Sequence, residues 1–223
     1  MGFPQVIDGP QSQETADTTS HTIALGHLVV GDLRFSGPGI ILFSCDFDPG
    51  SVSISAGVSL GSIAGASSHL EVFYLADGVG GPNPAVVVTT GNAQKSASQS
   101  FEFTGTNKLV QPQLDFATGT DTAADPPSLV PTWGTQQILW IIAAASDANV
   151  IFSADPANYT DPIENDSGGT TTGTKVRTLR RELVALSEDP AAFTNTSRQW
   201  NTVTIAVAPQ FGGFGRRPFR GGP

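Results

Sequence analysis

Apolar residues along the chain fall in short runs that alternate with polar ones or are uninterrupted, and nowhere form a sustained i, i+3, i+4, i+7 series. Gly, Pro, Asn and Asp punctuate the runs, as expected of an all-β sandwich or barrel. Thr22–Val30 predicts a strand closed by Gly31-Asp32. Ile40–Cys45 is uniformly apolar and predicts a central strand. Ser51–Ser55 alternates, with one face in and one face out. His69–Ala76 predicts a strong strand turned by Asp77-Gly78, and Val86–Thr90 a strand ended by Gly91-Asn92. Ser98–Thr104 alternates again, with Phe101 and Phe103 on one side.

In the second half, Ile138–Ala145 is the most apolar strand, and Asn149–Ser153 is expected to pair with it across a short turn. Val176–Leu186 admits two readings. Leu179, Leu183 and Leu186 have helical spacing, while Val176, Thr178 and Arg180 fit one face of a strand; the strand is preferred. Trp200–Ala208 is the last strand, and a strand so late is expected to pair with early ones in Greek-key fashion. Thr118–Pro131 and Tyr159–Thr174 are expected to be long loops, the places for variable contacts.

These elements predict one antiparallel β-sandwich of jelly-roll or Greek-key type over residues 21–208, with extended arms at 1–20 and 209–223. Residues 1–20 are polar and show no clear strand. Residues 209–223 are rich in Gly, Arg and Phe and cannot form a core of their own. They can act as an arm that orders on a partner, with Phe211, Phe214 and Phe219 as anchors and Arg216, Arg217 and Arg220 as charge contacts.

The length of 223 residues suffices to bury about 70% of the surface of the unfolded chain, so no disulfide or metal is needed for folding. The single cysteine, Cys45, lies in an apolar run and is read as a small buried hydrophobe. A reducing compartment is expected, and no signal peptide or membrane span is recognised. The sequons at Asn158, Asn165 and Asn195 are then ordinary loop residues. The formal charge is −9; removing the +3 of Arg216, Arg217 and Arg220 leaves −12 on the rest. A body so acidic repels phosphates, which disfavours nucleic-acid binding outside the arm.

Candidate chemistry is sparse. His21, His27 and His69 share no metal-ligand spacing and are read as surface or strand-face residues. No nucleophile elbow, P-loop or dinucleotide fingerprint occurs. Asp46 and Asp48, at i and i+2 on a strand end, should face the same way. They could bind calcium weakly or form an acid pair, against the plainer reading of a solvated turn. Trp140 and Trp200 read as core; Trp133, after Pro131, is the one tryptophan placed to stack on a ligand. No cofactor and no enzymatic activity are expected.

Several segments carry a resemblance. They are Gly31-Asp32-Leu33, Tyr74–Gly78, Asp125–Leu129, Trp133-Gly134, Leu139–Ile141, Pro156–Tyr159, Arg180–Leu183, Glu188–Pro190 with Phe193-Thr194, and Trp200 with Thr204–Val207. Over about residues 20–209 the chain resembles a group of structural proteins encoded by tailed bacteriophages and prophages. The chain departs from that pattern in lacking a Trp within Ser51–Ala66 and in its Gly/Arg/Phe arm. The resemblance implies a β-sandwich assembled into a virion in the host bacterial cytoplasm. It carries over no catalytic or binding residues, because its motifs are packing and turn residues. The expected role is a capsid decoration, or cement, protein contacting the major capsid protein. The alternative is a tail or tail-fibre component that contacts host carbohydrate. Either implies a homo-oligomer, such as a trimer.

Overall fold

The computed structural model describes residues 2–25, 38–76, 79, 84–107, 109–147, 150–168 and 173–210. Among them every regular element is a strand. In chain order these are β1 (Gln5–Ala24), β2 (Gly39–Asp46), β3 (Val52–Ile54), β4 (Val58–Ala64), β5 (Ser68–Leu75), β6 (Ala85–Thr104) and β7 (Gln113–Gly119). There follow β8 (Ala123–Ala124), β9 (Gln136–Asp147), β10 (Phe152–Ala154), β11 (Thr160–Asp166), β12 (Thr174–Ala185), β13 (Phe193–Asn195) and β14 (Trp200–Val207).

Two antiparallel sheets face each other. The first has the order β1-β6-β2-β5-β4, with β3 added to β6; the second has the order β11-β12-β9-β14-β7. A small sheet, β10-β13-β8, covers the back of the second. Between the main sheets lies a core of Ile40, Leu42, Leu70, Val72, Phe101 and Phe103 from one side against Ile141, Ala143, Val203 and Ile205 from the other. Burying each large side chain here contributes about 1.5–3 kcal/mol.

The backs of both sheets are also buried, which explains the uninterrupted apolar runs. In β2, Ile41, Phe43 and Cys45 point away from the main core, into a second cluster with Phe73, Ile23, Val86 and Val88. That cluster exists because β1 and β6, each 20 residues long, bend together. The second half of β6 pairs with β2 from Ser96 to Glu102. Its first half pairs with β3 and with the end of β1, and packs across the back of β2. The bend is marked by register shifts in the β1–β6 ladder between Glu14 and Ser20. On the other side, Ile138, Trp140 and Ile142 of β9 point into a third cluster, with Phe152, Phe193 and Trp200 beneath the small sheet.

The free edges of the two sheets close on each other. At one seam, a carbon of the Phe116 ring on β7 lies 3.0 Å from where a Cβ on Gly61 of β4 would be. At the other, Asn165 of β11 donates to the carbonyls of Ser12 (2.8 Å) and Ser98 (2.9 Å) on the first sheet. Asn201 of β14 reaches across to the carbonyl and hydroxyl of Ser68, both at 2.8 Å, and the Ser44 hydroxyl bonds that of Thr174. These buried polar contacts fix how the sheets align, since sliding either one would leave several groups unsatisfied.

The all-β sandwich is as expected, and Val176–Ala185 lies in a strand. Several local expectations are corrected. Residues 1–20 are no free arm: from Gln5 onward they form most of β1, held to β6 by backbone hydrogen bonds that polar residues supply as well as apolar ones. Gly91-Asn92 does not end a strand but lies inside β6. There the Gly91 amide donates to Ser51 O (2.8 Å), and a Cβ on Gly91 would sit 3.0 Å from the Ser51 nitrogen. Phe152–Ala154 pairs with β13, because β9 already has β12 and β14 on its two sides. The supposed loop at 159–174 contains β11, and that at 118–131 contains β8 and the Leu129–Glu188 bridge. The last strand pairs with β7 and β9, not with early strands. Asn165 and Asn195 are buried strand residues. His27, Gly31–Leu33, the Asp77-Gly78 turn and the arm residues Phe211–Pro223 lie outside the described residues.

Candidate functional site

β12 carries four of the body's eight cations, and each of the four has an acid within reach. Lys175 meets Glu164 at 3.1 Å. Arg177 grips Asp155 with two hydrogen bonds (2.6 and 2.7 Å) and Glu164 with a third (3.1 Å). Arg180 bridges Asp8 of β1 (2.7 Å) and Asp161 of β11 (2.9 Å), and its guanidinium holds the Asp161 carboxyl below the usual carboxylate range. Arg181 bonds Glu188 at 2.7 Å, and Glu188 also accepts from the Tyr159 hydroxyl at 3.3 Å. Burial, reinforced by that carboxylate, pushes the Tyr159 hydroxyl well above its ordinary pKa. This ladder stitches β1, β11 and the 188 segment to β12. Every cation in the ladder is paired with an acid, so it locks a seam and presents no unpaired cation as an anion receptor.

A polar cleft of about 340 Å³ opens beside this ladder, lined by Gln5, Val6, Leu139, Asp161, Arg180 and Glu182. Gln5 Nε2 donates across it to Glu182 Oε1 at 3.2 Å. At the same end of the sandwich a shallower groove of about 440 Å³ is walled mainly by apolar side chains: Ala56, Val58, Tyr74, Leu75 and Val79, with Gln111 at its rim.

This end is also where the described chain finishes. β14 runs toward it, Pro209 bridges Thr106, and the Gln210 amide donates to Gly105 O at 2.6 Å. Val58 is 48% exposed, Leu109 94%, Val184 56% and Leu186 54%; strand register places Val58 and Val184 at this end, Leu186 directly follows β12, and Leu109 follows the Thr106–Pro209 bridge. The groove was not foreseeable from sequence. Its walls come from positions 56–58, 74–76, 79 and 111, and no local pattern links them.

The residues singled out from the sequence do not converge. Asp46 and Asp48 do not face the same way: Phe47 between them has a φ of 55°, which breaks the alternation, so Asp46 is buried and Asp48 exposed. Asp46 Oδ1 accepts from the Lys95 amide at 2.8 Å, while Asp48 Oδ1 caps its own turn through the Gly50 amide at 2.8 Å. Burial raises the Asp46 pKa, and among the described residues no three ligating side chains gather around a potential metal position.

His21 and His69 are strand residues, of β1 and β5, and both face inward and are buried rather than on the surface. Thr90 donates its hydroxyl proton to Asn92 O (2.7 Å), so its oxygen accepts from His21 Nε2 (3.3 Å), and the His21 ring stands edge-on to Phe43 with centroids 5.2 Å apart. His69 Nε2 pairs with Glu71 at 3.2 Å. Cys45 is buried beside these groups, and burial drives its thiol well above the ordinary range. Trp133 is half-buried and packs against the third cluster, so it is not an open stacking platform. Trp200 is core, with its indole N–H on Asp121 at 3.1 Å.

The fold defines the class: an antiparallel β-sandwich, closed at both seams and capped on both outer faces, whose described surface offers clefts and exposed apolar positions. Comparison with protein-family models, with curated proteins and with solved structures gave no match.

Proposed function

We propose that the chain is a non-enzymatic structural protein of a tailed-phage virion, a cement protein that sits on the outer surface of the head and grips neighbouring subunits through residues 209–223. The observation that carries this reading is the end of the sandwich where β14 finishes. There a segment with three phenylalanines, three arginines and no acid follows a body at −12 in which every cation of β12 is paired with an acid. A domain locked in this way suits a role as a rigid block, and a cationic aromatic arm suits anchoring to another protein, because aromatic and Arg side chains dominate binding hot spots. The phage resemblance supplies the setting. The alternative role, a tail component holding carbohydrate on Trp133, has less support because that ring packs against the core.

The test is binding of the purified chain to capsids that lack it. The full chain should saturate discrete capsid sites, and a chain ending at Gln210 should lose that binding. Absence of capsid binding by the full chain at concentrations of about 100 µM, far above a specific-interface Kd, would overturn the proposal.

A further inference from the structure

The end of the sandwich at which β14 finishes brings together three features that the cement role does not by itself require. The first is the apolar groove walled by Val58, Tyr74, Leu75 and Val79. The second is a set of exposed large apolar side chains, Val58, Leu109, Val184 and Leu186, at that end. The third is the departure point of residues 211–223, which can reach about 40 Å at ~3.3 Å per residue and carry +3 against the −12 of the rest.

We propose that this end is a self-association face: residues 211–223 of one copy dock on the same end of a second copy, with a phenylalanine seated in the groove beside Val58 and Tyr74. The arginines then lie against the acidic body, whose exposed acids at this end include Glu182 in the polar cleft at the opposite seam. A second copy is favoured over the chain's own groove by direction. β14 points out of this end, and the Pro209–Thr106 bridge with the Gln210–Gly105 hydrogen bond holds the chain on that heading. From that heading at Gln210 the following 13 residues need no reversal to reach a facing molecule, whereas their own groove requires one. Opposite net charges on arm and body favour the encounter, and apolar burial in the groove holds it.

The inference rests on reading 211–223 as a contact arm and names its partner as a sister copy. The experiment is sedimentation equilibrium on the full chain, on a chain ending at Gln210, and on Val58→Asp and Leu109→Asp variants. It is paired with titration of a fluorescent peptide of residues 209–223 into the shortened chain. Both substituted positions are exposed, and cooperative urea unfolding checks that each variant is folded. The expected result is a full chain that associates in the micromolar range, a monomeric shortened chain, and peptide affinity reduced about tenfold or more by Val58→Asp. Association should weaken as salt rises.

A full chain that stays monomeric at about 100 µM, where a micromolar complex would be assembled, overturns the inference, even if the peptide binds the shortened chain, because that pattern means docking within one molecule. Association that survives removal of 211–223 overturns it too. Capsid binding measured on the same variants separates the two readings. A monomeric chain that still binds capsids through its arm sinks only this inference, and a self-associating chain that ignores capsids sinks only the cement role.

Discussion

Gly119 and Trp200 are directly opposite each other on β7 and β14, and the indole lies over the glycine. A Cβ built on Gly119 would sit 2.3, 2.8 and 2.9 Å from three atoms of the Trp200 ring. The ring cannot swing away cheaply. It is 5% exposed, belongs to the third apolar cluster, and its N–H is held by Asp121 at 3.1 Å. Gly119→Ala therefore forces either the ring or the edge strand to move. Overpacking of this kind costs about 1–3 kcal/mol, and loss of the Asp121 bond adds about 1 kcal/mol. The expected destabilisation is thus about 2–4 kcal/mol, or a fall in Tm of very roughly 5–15 °C for a chain of this size. Urea unfolding followed by tryptophan fluorescence measures it. The control is Trp200→Leu: by itself it should cost a few kcal/mol through the cavity it leaves, but Gly119→Ala should cost little in that background, giving strong non-additivity. Additive costs, or a Gly119→Ala cost below about 0.5 kcal/mol, the level of ordinary surface substitutions, would refute the reasoning.

Three further predictions concern the interior and the charged seam. Burial lowers the His21 pKa below its unfolded value near 6.5, so its contribution is fully present above that value and is lost as pH falls through 6.5 toward the folded pKa. Unfolding free energy should decline over this window, and His21→Gln, which can still donate to Thr90, should flatten the decline; an unchanged slope would refute the assignment. Arg177→Met removes the bidentate bond to Asp155 and the contact to Glu164. It should cost about 1 kcal/mol in dilute buffer and less in about 1 M salt, the discount reflecting partial exposure; a cost that salt leaves unchanged argues for lost packing instead. Cys45 should resist thiol reagents in the native state and react only on unfolding, because it is fully buried with its thiol pushed up; rapid stoichiometric labelling of native protein would contradict its placement.

The parts of the fold legible in the sequence are those buried on both faces. β2, β5, β9 and β14 are almost wholly buried, and each reads as an apolar run or a clean alternation. β1 was illegible for the opposite reason. Its residues from Gln5 to Ser20 are largely exposed or half-exposed, so the sequence carries no apolar period, while its ladder to β6 uses backbone groups common to every residue type. β11 was hidden in the same way, its place set by Asn165 and the Arg180–Asp161 pair rather than by apolar side chains. The candidate site was less legible still. The cationic, aromatic segment could be picked out by composition, but the groove at the end where β14 finishes joins positions 56–58, 74–76, 79 and 111, and the buried pairing of Asp46 with the Lys95 amide disposes of a site that the spacing of Asp46 and Asp48 had suggested.

The sequence by itself determined that this protein is all-β, that its central strands lie where the apolar runs are, and that an acidic body is followed by a cationic, aromatic segment. Those properties are local: side-chain hydrophobicity, turn chemistry and charge act on the residues that carry them. Only the tertiary structure decided that a polar leading segment is a long strand, that two strands fold back over their own sheet, and that every cation of β12 has an acid beside it. It also placed an apolar groove at the end where β14 finishes. These depend on which distant backbones pair and in what register, and backbone hydrogen bonds leave no mark on the identity of the residues that make them.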